Sequence, residues 1–239
     1  RLEQSAAPGT VIVGPVTHAA TRELVEYEPI EPIILKGKAE PVAAWRAIRV
    51  RTRRGGVRPV LGIEAPLIGR DEELTLLKET MRRTVAEGRP HLVTVIGSAG
   101  VGKSRLNWEL EKYLDGLPDV YHWRKGRCLA YAQTSYSALA DAIAADASVL
   151  EDDAPEAVGE KLAARLAVLA PGGAPAAVES AARTVLGLPA EGAPTRDELF
   201  ESWREYLELI ARRSPLVLVM EDIHWADEGL LDFIEFVTR

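Results

Sequence analysis

The chain has 239 residues, 47% of them hydrophobic, and a formal net charge of −7, enough for one large domain or two small ones with a sizeable core. That acidic balance argues against general nucleic-acid affinity, the Arg-rich stretch from Arg46 to Arg58 being the exception. A single cysteine, Cys128, excludes an internal disulfide and suits a reducing, cytoplasmic setting, and no apolar run approaches a membrane span or a signal peptide.

In chain order, Thr10 to Val13 reads as a short strand after the Pro8-Gly9 turn, and Thr17 to Leu24 as a helix with Glu23 near its end. Val25 to Glu28, Ile30 to Leu35 and Val42 to Val50 read as strands separated by Pro and Gly. Residues 1–50 hold too little for an independent core. Residues 51–64, basic, glycine-bearing and without period, read as a linker. The opening on Arg1 rather than Met, and the close at Arg239 inside a helical pattern, lead us to expect a piece of a longer protein.

From about Ala65 a second unit begins. Asp71, Glu72 and Glu73 load a first helical turn with acid, and Leu74, Leu77, Met81 and Val85 give it an apolar face before Gly88-Arg89-Pro90 ends it. His91 to Ile96, β-branched-rich and bounded by Pro90 and Gly97, reads as a buried strand. Gly97, Ser98, Ala99, Gly100, Val101, Gly102, Lys103 and Ser104 then fit G-x-x-x-x-G-K-[ST]. A helix carrying Leu106, Leu110, Tyr113 and Leu114 follows as far as Gly116. Small residues let successive backbone N–H groups turn inward around a phosphate, and the helix adds its own free N–H groups and positive dipole end. Lys103 is then placed for the β/γ-phosphates and the Ser104 hydroxyl for Mg²⁺. This stretch resembles a Walker A loop, which implies ATP and Mg²⁺ as cofactors.

Val120 to Cys128 reads as the next strand and carries His122, Trp123 and three basic residues. The four histidines, His18, His91, His122 and His224, show no metal-ligand spacing with Cys128. Residues 134–213 read as about four helices: Tyr136 to Ala147, Pro155 to Ala170, Ala176 to Leu186 and Arg196 to Arg212. The last opens on a capping box of Thr195 and Glu198 and is expected to bury Leu199, Trp203, Tyr206, Leu207 and Ile210. Leu216 to Met220 has the profile of a strand buried on both faces, ending in the acids Glu221 and Asp222. One acid is suited to Mg²⁺ and the other to the attacking water. By position Glu221 takes the metal role and Asp222 the water role, with alternation pointing the two to opposite faces.

Two resemblances add to this reading. RLEQSAAPGTVIVG, EYEPI and ILKGKAEPVAAWRAI resemble the C-terminal end of a class III adenylate/guanylate cyclase catalytic domain, over about a fifth of the chain. They place Arg1 where that family has an arginine that stabilises the transition state, and Lys36 where it has a lysine that contacts the triphosphate. The family's metal-binding and base-reading residues would lie upstream, so no cyclase activity is expected of this piece alone. The phrase Ile68-Gly69-Arg70-Asp71-Glu72-Glu73-Leu74 resembles AAA-related ATPases of the STAND type, where it lies near the adenine and marks Gly69 and Arg70. PLVLVMEDIHWAD resembles a Walker B motif of those ATPases, and GRCLAYAQTSYSAL is loosely similar to their stretch after the second strand. The usual order there is Asp then Glu, the reverse of Glu221-Asp222, so the role of each acid stays open.

The expected architecture is an α/β P-loop NTPase with a parallel sheet flanked by helices over 65–239, preceded by the β-rich end of a cyclase-type α+β domain over 1–50. Later strands, a sensor residue and an arginine finger are expected beyond Arg239. The expected partners are ATP and the flanking domains of the same chain, with self-association through the ATPase part left open and neither membrane nor nucleic acid among them. The expected role is ATP binding with slow, regulated hydrolysis in a signalling protein, the alternative a switch or scaffold that holds ATP without turning it over.

Overall fold

The structure, a computed structural model, describes residue 6 and residues 10–21, 25–33, 41–50, 67–130, 135–190 and 192–239. Arg1, Lys36, the 51–64 linker and parts of the cyclase-like and GRCLAYAQTSYSAL segments lie outside the described residues. Two compact units divide the chain, 1–53 and 54–239.

In the first unit, strand β1 (Val11–Val13), helix α1 (Pro15–Thr21), strand β2 (Val25–Ile33) and strand β3 (Val42–Val50) form an antiparallel sheet in the order β1-β3-β2. The two strands read on either side of Pro29 are one. Proline lacks the ladder N–H, but β2 pairs on one flank only, and register shifts at Glu26/Tyr27 and Ile30/Ile33 absorb the irregularity. His18 of α1 stacks on Trp45 at 4.1 Å between ring centroids, with Tyr27 edge-on to it. Ala44 is the one fully buried hydrophobic among this unit's described residues, consistent with the thin core expected.

The second unit opens with α2 (Asp71–Glu87), whose C-terminus is closed by Gly88 in the left-handed conformation. Then come α3 (Lys103–Asp115) and β4 (His122–Arg127), followed by four helices, α4 (Ser137–Asp146), α5 (Pro155–Leu169), α6 (Ala176–Val185) and α7 (Arg196–Ala211). Strand β5 (Leu216–Glu221), a 3-10 turn (Ile223–Trp225) and α8 (Glu228–Thr238) complete it. Thr195 and Glu198 form the reciprocal capping box. On α7, Phe200, Trp203, Tyr206, Leu207 and Ile210 are buried, whereas Leu199 is only half-buried.

β4 and β5 pair in parallel, Trp123 beside Val217, Lys125 beside Val219 and Arg127 beside Glu221. Alternation splits the pair into two faces. Leu216, Leu218 and Met220 pack on the core of α4 to α8, where Trp203, Tyr206, Phe233 and Leu139 are fully buried and the Trp203 indole donates to Ala181 O at 2.8 Å. Val217 and Trp123 pack on a smaller cluster of Leu77, Leu106, Leu110 and Leu114 from α2 and α3. Gly126 points at the first face, and a Cβ there would stand 1.8 Å from Ala138 O. Only glycine lets α4 lie this close to the sheet.

Two expectations need correction. Residues 91–98 have no regular secondary structure, and Leu92, Val93, Val95 and Ile96 are exposed, Ile96 to 88%. A strand needs a ladder on at least one flank, and among the described residues β4 and β5 pair only with each other. For the same reason β5 is half-buried along its length, not buried on both faces.

Candidate phosphate-binding loop and acid pair

α3, like α4, begins with neither an acid in its first turn nor a side-chain cap. Gly102 precedes it at φ +98°. The leading N–H groups of α3 therefore lack side-chain acceptors and keep the positive end of the dipole open. By contrast, Thr195 accepts from Glu198 N–H at the start of α7, and Asp227 from Leu230 N–H at the start of α8.

The loop before α3 is tight. A Cβ on Gly97 would meet Val101 Cγ1 at 2.8 Å and Lys103 Cδ at 4.0 Å. Lys103 curls over this loop, its Nζ donating to Gly97 O at 2.9 Å and Ser98 O at 3.0 Å, and it forms no ion pair among the described residues. Ser104, exposed, lies in the same first turn. An ammonium held by two loop carbonyls, a hydroxyl and open N–H groups on one loop are the groups that a magnesium-bound triphosphate takes, so the residues present fit that group. Beside the loop, Leu67, Ile68, Gly69, Arg70, Val101, Gly102 and Arg105 line a cavity of about 460 Å³. Gly69 and Arg70, marked from sequence, thus meet the loop, and Arg70 Nη2 lies 3.5 Å from Val101 O. Arg105 was missed, although it directly follows the signature.

The acid pair stands at the C-terminal end of β5. Glu221 closes the strand with its side chain 12% exposed, on the face turned toward α3. Alternation does not carry on to Asp222. That residue leaves the strand at φ +55° to start the 3-10 turn, and its side chain is half exposed. Two further residues hold the pair. Lys125 Nζ lies 2.8 Å from Glu221 Oε1, and Arg127 reaches Glu221 Oε2 at 3.4 Å and Asp222 Oδ2 at 3.5 Å. The signal was present in sequence, since basic residues two apart in a strand share a face.

Glu111, two turns into α3, feels this cluster. Burial pushes its carboxyl above the usual value, Lys125 opposes the rise, and Asp115 and Glu221 add to it. Asp227 of the HWAD run has a structural task, capping α8 and accepting Tyr136 N–H at 3.1 Å. Cys128 is inert, its thiol pushed up to about 11 by burial and by Asp227, Asp222 and Asp141. Among the described residues no three His, Cys, Asp or Glu side chains group as a metal site of their own, and no helix is long and apolar enough to cross a membrane.

Comparison with known proteins places the second unit in a family. An uncharacterized protein of Rhizobium meliloti (strain 1021) is 26% identical over 254 residues, covering 100% of this chain, while the chain spans 23% of that relative's length. No solved structure matches. The sequence pattern described as the AAA ATPase domain matches residues 66–239, nearly three-quarters of the sequence, and on that match the chain belongs to the AAA ATPase domain family.

Proposed function

We propose that residues 65–239 bind ATP with Mg²⁺ through Gly97 to Ser104 and hydrolyse it slowly under regulation, as a STAND-type domain of a larger cytoplasmic signalling protein. The observation that carries this reading is Lys103, held among the described residues only by carbonyls of its own loop at the mouth of an uncapped helix. Triphosphate oxygens would take the ammonium and the N–H groups together. Ser104 and Glu221 would hold Mg²⁺, whose chemistry is to neutralise phosphate charge, and Asp222 would orient the attacking water. Gly69 and Arg70 would border the base. Lys103→Ala should abolish ATP binding by calorimetry while leaving the melting temperature nearly unchanged, because the described hydrogen bonds of the lysine stay within its own loop. Equal affinity in the folded mutant would remove the reading.

A nucleotide-held switch is the second reading, favoured by the ion pairs that already occupy Glu221. Single-turnover hydrolysis separates the two. Glu221→Gln should weaken Mg²⁺-dependent binding and Asp222→Asn should spare binding but slow turnover. The opposite pattern would exchange their roles.

For residues 1–50 we propose the end of a class III nucleotide cyclase domain, with Arg1 and Lys36 in its nucleotide-facing positions and 51–64 as the linker. The support is the sequence resemblance; the antiparallel sheet of β1, β3 and β2 is compatible with it. This chain alone should form no cyclic nucleotide. Flanking domains and other copies of the ATPase part are the proposed partners.

A further inference from the structure

The two acids most exposed to a metal in this reading are not equally free. Lys125 and Glu221 are both nearly sequestered from solvent, their side chains 10% and 12% exposed, and they meet at 2.8 Å. The parallel register puts them on one face with Trp123 and Val217, the face that packs on α3. The other face is shut, since Gly126 is backed by α4 without room for a Cβ. Lys125 therefore has nowhere to go but toward α3. Arg127, at 58% exposed, is by contrast a solvated partner that water screens.

A desolvated ammonium stripped of its carboxylate is costly, so a metal at Glu221 has to outcompete Lys125. Glu111 of α3, half-buried, adds a supporting charge, its carboxyl pushed up by burial and by Glu221 and held down by Lys125.

Resting on the reading of Glu221 as the metal-side acid, we propose that Lys125 is a positioning residue that holds Glu221 in the nucleotide-free protein and competes with Mg²⁺ for its carboxylate when ATP binds. The competition sets how much Mg²⁺ the site requires.

The test titrates Mg²⁺ into the full chain at a fixed concentration of a fluorescent, non-hydrolysable ATP analogue and reads the Mg²⁺ midpoint. Lys125→Met keeps the apolar stem and removes the charge. It should lower the midpoint about tenfold, the scale set by losing one close charge pair, while analogue binding in chelator stays as in wild type. Lys125→Arg should restore the wild-type midpoint. A folded Lys125→Met chain with an unchanged or higher midpoint overturns the proposal. Should that variant fail to fold, Lys125→Gln decides. It also removes the charge and should lower the midpoint severalfold, and an unchanged midpoint overturns the proposal. Absence of analogue binding by the wild-type chain, or equal binding by Lys103→Ala, would overturn the ATP reading itself and the proposal with it.

Discussion

On one side of the β4–β5 pair, Leu216, Leu218 and Met220 run into some two dozen buried side chains with the aromatic rings of Phe200, Trp203 and Phe233 at their centre. On the other side, Val217 and Trp123 meet four buried leucines, the Trp123 indole N–H is buried without an acceptor among the described residues, and residues 92–96 are exposed. The contrast separates scaffold from site. The four-helix insert is closely packed and holds β5 in place, while the candidate phosphate loop, Lys103 and the Lys125–Glu221 pair occupy the side with fewer apolar contacts, where local opening costs less. Ligand is expected to stabilise the second side far more than the first.

The largest expected effect tests the scaffold. Trp203→Ala removes a fully buried ring and its bond to Ala181 O, and should cost about 3–5 kcal/mol in urea unfolding. A loss under about 1 kcal/mol would mean that the insert is not the better-packed side.

The next effect concerns charge inside the scaffold. Asp146, its side chain fully buried, takes Arg124 at 2.6 Å, Arg165 at 2.8 Å and the Tyr206 hydroxyl at 3.1 Å. Burial raises its carboxyl, but Arg165 and Arg124 outweigh that and hold it below its ordinary value. A carboxyl depressed by folding contributes stability above its unfolded pKa and loses it as pH falls through the folded one. Wild type should therefore weaken on acidification through and below the ordinary carboxylate range. Asp146→Asn should start lower at neutral pH, toward the lower end of about 3–5 kcal/mol, with a flatter acid limb. Parallel pH profiles would mean that the network does not titrate with folding.

The smallest effect tests the other side. Ile96, 88% exposed, should tolerate threonine within about 0.5 kcal/mol in this chain. A cost above about 1 kcal/mol would show that residues 91–96 pack more closely than the contrast holds.

The elements most legible in the sequence were those specified by local chemistry. The α7 capping box, Gly88 at the end of α2 and the Leu106/Leu110/Leu114 stripe of α3 each depend on residues within a turn or two, and the insert helices begin and end within about one residue of expectation. What failed depends on distant neighbours. Residues 91–96 carry strand composition, but a strand is a relation between segments. β2 runs through Pro29 because its flank, not its composition, decides. Glu221 and Lys103 stood out in the sequence as candidate chemistry, whereas pairing Lys125 with Glu221 needed the parallel register that sets β4 beside β5.

Splicing the insert between β4 and β5 bears on how quickly the site can assemble. Arg127 and Glu221 lie side by side yet are 94 residues apart in the chain, so pairing them closes a long loop whose entropy local helices do not face. We expect the helices of the insert to form early and shorten the effective tether, with the parallel ladder among the last structures to lock. Pulsed hydrogen exchange during refolding should then protect amides of α7 before those of β4 and β5. Simultaneous protection would show that the strands find one another without the helices as guide.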